Sequence, residues 1–216
     1  MTLSEMIAEL SNILNHPIDD AGRLTTAIAT AALNRAYLHF AYDTACFQRS
    51  VSLNTVIGTM RYSLPADCYH VQGVWVAPVG SMKAQPLTYV DKGDMDINYP
   101  LWKLGVELEL SPYVWTQDNI IDVVLYPVPN SVLPIVINIG IIPSTVVATG
   151  AIPTLVTGTD TPLVPALYHD AIPSYAAFDI ARKLFTDDAV SVSNAQSNFE
   201  NYQDLVNKYM AATIPT

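Results

Sequence analysis

NIIDVVLYPVPNSVLPIVINIGIIP, residues 119–143, decides how the middle of the chain is read. Two runs rich in Val and Ile flank a Pro-Val-Pro-Asn segment, residues 127–130. Branched side chains suit a pleated, half-buried surface, whereas Pro and Asn favour turns. The stretch therefore predicts a β-hairpin with Pro127-Val128-Pro129-Asn130 at its tip. Pro127 and Pro129 lack amide donors and have a fixed φ, which makes that tip stiff. The run VLPIVINIGIIP is too short to cross a bilayer and carries two prolines.

The same period of two extends upstream. FQRSVSLNTVIG (47–58), TMRYSLP (59–65), YHVQGVWVAP (69–78), QPLTYV (85–90) and GVELELSPYVW (105–115) complete a set of six or seven strands. No helix-length crossover separates neighbours, so antiparallel pairing is expected. DKGDMDINYPLWK (91–103) interrupts them as a short polar helix or loop.

Outside this region the period becomes helical. Thr2–Asn15 places Leu3, Met6, Ile7, Leu10 and Leu14 on one stripe, with Thr2 and Glu5 spaced as a capping box and Pro17 as a stop. A second helix is expected from Asp19 or Asp20 to about Ala45. Leu24, Ile28, Ala31, Arg35, Leu38 and Tyr42 form its face, and Ala27, Ala29, Ala32 and Ala36 its slim sides. Helix returns at Pro165, with Ile172, Tyr175, Ala176, Ile180 and Leu184 at helical spacing and Pro173 kinking or restarting it. A last helix carries Val192, Ala195, Phe199, Tyr202, Val206 and Tyr209. The fold class is α+β: residues 1–46 and 164–212 form a helical bundle, with an antiparallel β-domain (47–142) inserted. Residues 143–163 form an extended loop or loose hairpin, a length usually tied to function or mobility.

The charge balance narrows the function. The 216 residues carry a net charge of −10 with only ten Lys and Arg, none of them between Lys103 and Arg182, which argues against gripping DNA. MTLSEMIAEL is acidic and amphipathic, unlike a signal peptide. Cys46 and Cys68 lack metal or redox spacing and are expected as free thiols.

Catalytic patterns are weak. Glu107 and Glu109 share one strand face, as an acid/base pair or a solvated face would. Asp91, Asp94 and Asp96 suggest a calcium loop, but the glycine comes too early and no Glu follows at the twelfth position. His16, His39, His70 and His169 have no paired-ligand spacing, and His169 is expected at a helix surface or interface. No phosphate loop, nucleophile elbow or dinucleotide fingerprint occurs. The expectation is no enzyme, no metal and no cofactor. Three Trp and twelve Tyr with little charge point either to an obligate interface or to a well-buried monomer.

Four motifs in order carry a resemblance: ALNRAYLHFA (32–41), RYSLPADCYHVQGVWV (61–76) with its Leu64-Pro65-x-Asp67 turn, LYPVPN (125–130), and VPALYHDAIPSYAAFDIAR (164–182) followed by FENYQDLVNKYM (199–210). The chain resembles the head-to-tail adaptor (connector) proteins of tailed bacteriophages. The resemblance implies a structural virion protein of the neck or tail, assembled in the host cytoplasm. It further implies a ring, commonly of twelve copies, between the portal protein and tail or nozzle proteins, with DNA sliding through and no membrane involved. An acidic wall would repel phosphates. Residues 143–163 are longer than the resemblance leads one to expect. The partner-interface candidates are Tyr126, Pro127 and Pro129 at the hairpin, where an ordinary tight turn is the alternative, with Tyr202 and Tyr209 on the last helix and Ile214 in the AATIPT tail. Alternatives are another tail or neck subunit, a carbohydrate-binding or hydrolytic tail component using Trp102 or Trp115 with Glu107 and Glu109, and a small-ligand-binding β-domain.

Overall fold

Thr2 opens the first helix as its spacing predicts. The Thr2 hydroxyl accepts the Glu5 N–H, and the Glu5 carboxylate accepts the Thr2 N–H at 2.7 Å. The structure, a computed structural model, describes residues 1–19, 22–77, 83–143, 154–185 and 189–213. In chain order the elements are α1 (Leu3–Leu14), α2 (Thr26–Thr44), β1 (Gln48–Asn54), β2 (Arg61–Ser63), β3 (Cys68–Val76), β4 (Gln85–Pro86), β5 (Thr88–Tyr89), α3 (Lys92–Asn98), β6 (Leu108–Glu109), β7 (Val114–Asn119), β8 (Asp122–Tyr126), β9 (Val128–Pro129), β10 (Pro134–Ile141), α4 (Ala171–Leu184) and α5 (Ala189–Thr213). This is an α+β fold, and its contacts cluster into two units: Met1–Cys46 with Pro143–Thr216, and Phe47–Ile142.

In the helical unit, α1 buries Leu3, Met6, Leu10 and Leu14. α2 starts later than the sequence suggests, because Thr25 caps it by accepting the Ile28 N–H. Its buried face also differs. Ala29, Ala32, Leu33, Ala36, Tyr37, Phe40 and Ala41 point inward, while Ile28, Arg35, Leu38 and Tyr42 are exposed, Tyr42 by 60%. The physical reason is closeness: the alanine side of α2 meets α4, whose Ala176, Ala177 and Ala181 are equally small. α4 restarts as expected after a 3-10 turn at Ala166–Tyr168, with Pro173 in its first turn, where a missing N–H leaves no helical bond unmade.

Of the segment read as an extended loop, residues 144–153 lie outside the described residues, and residues 154–163 are pinned to the helices. The Asn34 amide donates to the Leu155 carbonyl at 2.7 Å and accepts the Leu155 N–H at 2.8 Å. The Tyr37 hydroxyl accepts the Leu163 N–H at 3.0 Å. Leu3 and Ser4 donate to the carbonyls of Asp160 and Gly158. Asp160 shapes this turn: hydrogen bonds from the Thr157 hydroxyl, then from the backbone N–H groups of Thr157 and Val156, hold its carboxyl below the usual range. Asn34→Ala strands both backbone groups of Leu155 and is expected to lower unfolding stability by about 1–3 kcal/mol, read by denaturant titration.

The β unit corrects the reading of residues 119–143. β8 and β10 are not hairpin partners. β10 sits in a sheet ordered β1-β10-β3-β4, and β8 in one ordered β2-β8-β7-β5. The residues between them cross from sheet to sheet. Pro127, joined to Tyr126 by a cis peptide, and Pro129 offer no donors, and the intervening amides look elsewhere. Val128 and Asn130 donate to the carbonyls of Glu107 and Glu109, both at 2.9 Å, making β9 a partner of β6. The far end is fastened to Thr55, whose N–H donates to the Leu133 carbonyl and whose hydroxyl bonds Ser131 and Leu133.

Antiparallel pairing dominates, but β5–β7 and β6–β9 are short parallel pairs. Along β10, Ile135, Ile137 and Ile139 are buried with period two against Val71, Val74 and Val76 of β3. A second cluster holds Met95, Trp102, Val114, Val124 and Tyr126. Arg49 pairs with buried Asp67 at 2.7 Å, tying β1 to the Leu64–Asp67 turn. Cys46 and Cys68 are free thiols, and burial pushes both above their ordinary range.

Candidate functional site

The helical unit carries a groove of about 690 Å³ between α2, α4 and α5. Its floor is aromatic because three helical stripes converge. Phe178 of α4 stacks on Phe199 of α5 with centroids 4.3 Å apart, and Tyr175 lies 5.0 Å from Tyr202. His39 of α2 stacks on Tyr175 at 4.6 Å. The Arg182 guanidinium sits 5.2 Å over the Phe178 ring, a cation–π arrangement. The Tyr202 hydroxyl donates to Asp43 at 2.6 Å. Burial, then that hydrogen bond, pushes its pKa far above the ordinary phenol range, so the hydroxyl keeps its proton.

Below the rim, Asp179 joins α2 to α4. It accepts from Arg35 Nη2 at 2.7 Å and Nε at 3.1 Å, and from Lys183 at 2.5 Å. Burial pushes this carboxyl up, but the hydrogen bonds from Lys183 and Arg35 outweigh it and hold the pKa below the usual range. A depressed folded pKa gives stabilisation that is complete above the unfolded value and lost as pH falls through the folded one. Stability is therefore expected to fall more steeply below about pH 4 in the wild type than in Asp179→Asn, as acid titration by circular dichroism would show.

None of the described residues lining the groove is a Ser, Thr, Cys or Lys. Aromatic faces with a guanidinium at one end suit a partner segment that offers an apolar side chain beside an acidic group. The model of the SU10 adaptor protein family matches residues 1–214. The chain belongs to that family. A comparison with curated proteins found no match. The adaptor is thus a bacteriophage head-to-tail adaptor protein, a structural component of the virion.

The residues singled out in the sequence are placed as follows. Tyr126, Pro127 and Pro129 are buried in the adaptor's own β unit, Tyr126 to 2% exposure, because the chain crosses between sheets there instead of turning at a tip. Tyr202 is buried in the groove wall. Tyr209 is half-buried against Phe40 and Tyr168, at 5.7 and 4.9 Å between centroids. Ile214 lies outside the described residues. Trp102 and Trp115 are buried, the former donating from Nε1 to Asp96 at 2.8 Å. Glu107 and Glu109 are exposed, and Glu107 accepts from the Tyr126 hydroxyl.

Asp91 caps α3 through the Gly93 N–H, and Asp96 pairs with Lys103. Among the described residues no group of three or more His, Cys, Asp and Glu is placed to hold a metal ion. Nor is any described helix long and apolar enough to cross a membrane. His169 is buried, not at a surface, because its ring bonds the Val164 carbonyl at 2.7 Å and the Met1 amine at 2.6 Å. Sequence reasoning missed His39, Asp43, Phe178 and Arg182 as a group. The available signal was the aromatic run of the C-terminal helices, with Tyr175 and Phe199 on their apolar stripes.

Proposed function

We propose that the adaptor assembles as a ring, commonly twelve copies, between the portal protein and the tail or nozzle proteins in the neck of the virion, and that DNA passes through the ring without specific binding. The family match over residues 1–214 carries this reading. The charge balance supports it: a chain of net charge −10, with no Lys or Arg between 103 and 182, makes a channel past which phosphates slide. The portal docks on the helical unit, with the aromatic groove taking a portal segment. The role is structural and non-enzymatic, and assembly takes place in the host cytoplasm.

Co-sedimentation with the portal ring of the same phage, imaged by negative stain, tests this. The expected result is a stoichiometric second ring beneath the portal, with Phe178→Asp reducing its occupancy at least tenfold. A folded adaptor that leaves an intact portal bare overturns the reading.

A further inference from the structure

Two strands of the β unit have incomplete pairing. β1 is the terminal strand of its sheet, and among the described residues its only strand partner is β10. That seven-residue ladder, Gln48 to Asn54 against Gly140 to Pro134, runs without a register shift. β1 contains no proline, and its lone charge, Arg49, is engaged by Asp67. Natural edges are blunted by bulges, prolines, inward charges or shortness; β1 has one such device, the inward-facing Arg49 near its start, and none over Ser50–Asn54. Arg49, Val51 and Leu53 are half-buried on one face, while Ser50 and Ser52 are exposed on the other.

The second is β6 (Leu108–Glu109), within the segment 106–110, Val-Glu-Leu-Glu-Leu. β6, at its centre, pairs with β9 over two residues and has no other strand partner among the described residues. Val106, Leu108 and Leu110 project from one side at 61%, 53% and 68% exposure. Leu101, Leu104 and Tyr113 in the same stretch of chain are also exposed, so this stretch offers several large apolar side chains to a partner.

We propose that, in the assembled ring, residues 106–110 of one adaptor add as a strand to the free edge of β1 in a second copy; this rests on the ring reading above. The two segments match in kind. The donor's apolar row would continue the half-buried Val51–Leu53 row, and its Glu107–Glu109 row would fall on the Ser50–Ser52 side, where the Ser50 hydroxyl already donates to Asn138. Backbone pairing supplies the affinity and alternate side chains the register, as in other strand additions. Donor and acceptor are different patches, so each copy gives one strand and receives one. That is the heterologous contact a closed ring needs.

The test uses the full chain with Cys46 and Cys68 changed to Ala. Ser52→Cys and Glu109→Cys adaptors are assembled on portal rings, singly and mixed, then treated with a short bismaleimide. Cross-linked dimers are expected in the mixture and not in either variant alone, and a chain carrying both changes should give a ladder of multimers. A ring beneath the portal with no cross-link, with equal cross-linking in the single variants, or with linkage only to another virion protein overturns the strand exchange and leaves the ring reading standing. Folded adaptor with no ring overturns both. Val106→Asp with Leu108→Asp changes exposed side chains only, so circular dichroism should be unaltered while ring occupancy falls at least tenfold. Unchanged occupancy also overturns the strand exchange.

Discussion

Replacing Trp102 with Ala lowers the stability of the β unit by about 3–5 kcal/mol, the cost of removing a buried indole whose site cannot fully collapse. Trp102 is 2% exposed and packs with Met95, Val114, Val124 and Tyr126. Against a total of about 5–15 kcal/mol for a typical domain, such a loss is severe. Trp102→Phe keeps most of the ring and loses the bond to Asp96, which is exposed and still paired with Lys103, so it is expected to cost less than Trp102→Ala. Native-state hydrogen exchange localises the effect: amides of β7 and β8 should lose protection while those of α1 keep theirs. Equal loss in both units would refute this account of Trp102.

Phe40→Ala is the counterpart in the helical unit, again about 3–5 kcal/mol. Phe40 is fully buried, with Tyr168, Tyr202 and Tyr209 around it at 6.4, 6.5 and 5.7 Å between centroids. Because Tyr202 also forms the groove wall, the variant should weaken the proposed portal association as well as stability. Here α2, α4 and α5 should lose exchange protection and β10 should not. Phe40→Leu leaves a smaller void and should retain most of both properties.

Local chemistry was legible in the sequence, and long-range partnership was not. Thr2 and Glu5 announce a helix start because both capping groups lie within four residues. The stripe of α1 is equally plain, since Leu and Met alternate with polar residues at helical spacing. α2 misleads because alanine is apolar yet small. Its large residues Ile28, Leu38 and Tyr42 look like the core, but the tight fit against α4 rewards the alanine face. The crossing at Pro127 misleads for another reason. Adjacent strands usually pair, whereas here β10 takes β1 and β3 as partners. Gln48 meeting Gly140 leaves no mark within either segment. The groove is illegible on the same ground: His39 and Asp43 stand far from Tyr175 and Phe199 in sequence. The helical period says which way each points and not which helix it meets.

The division of the chain also orders its synthesis. Residues 47–142 are contiguous, so once they have left the ribosome every strand of that unit is available to pair. The bundle is discontinuous, and α1 and α2 emerge long before α4 and α5 exist. At about 5–20 residues per second, translation leaves the first two helices waiting several seconds for the surfaces that cover them. During that interval the alanine face of α2 and the Phe40 side chain lie open to solvent and chaperones. The groove needs residues from both ends of the bundle, so it forms only after the later helices have been made.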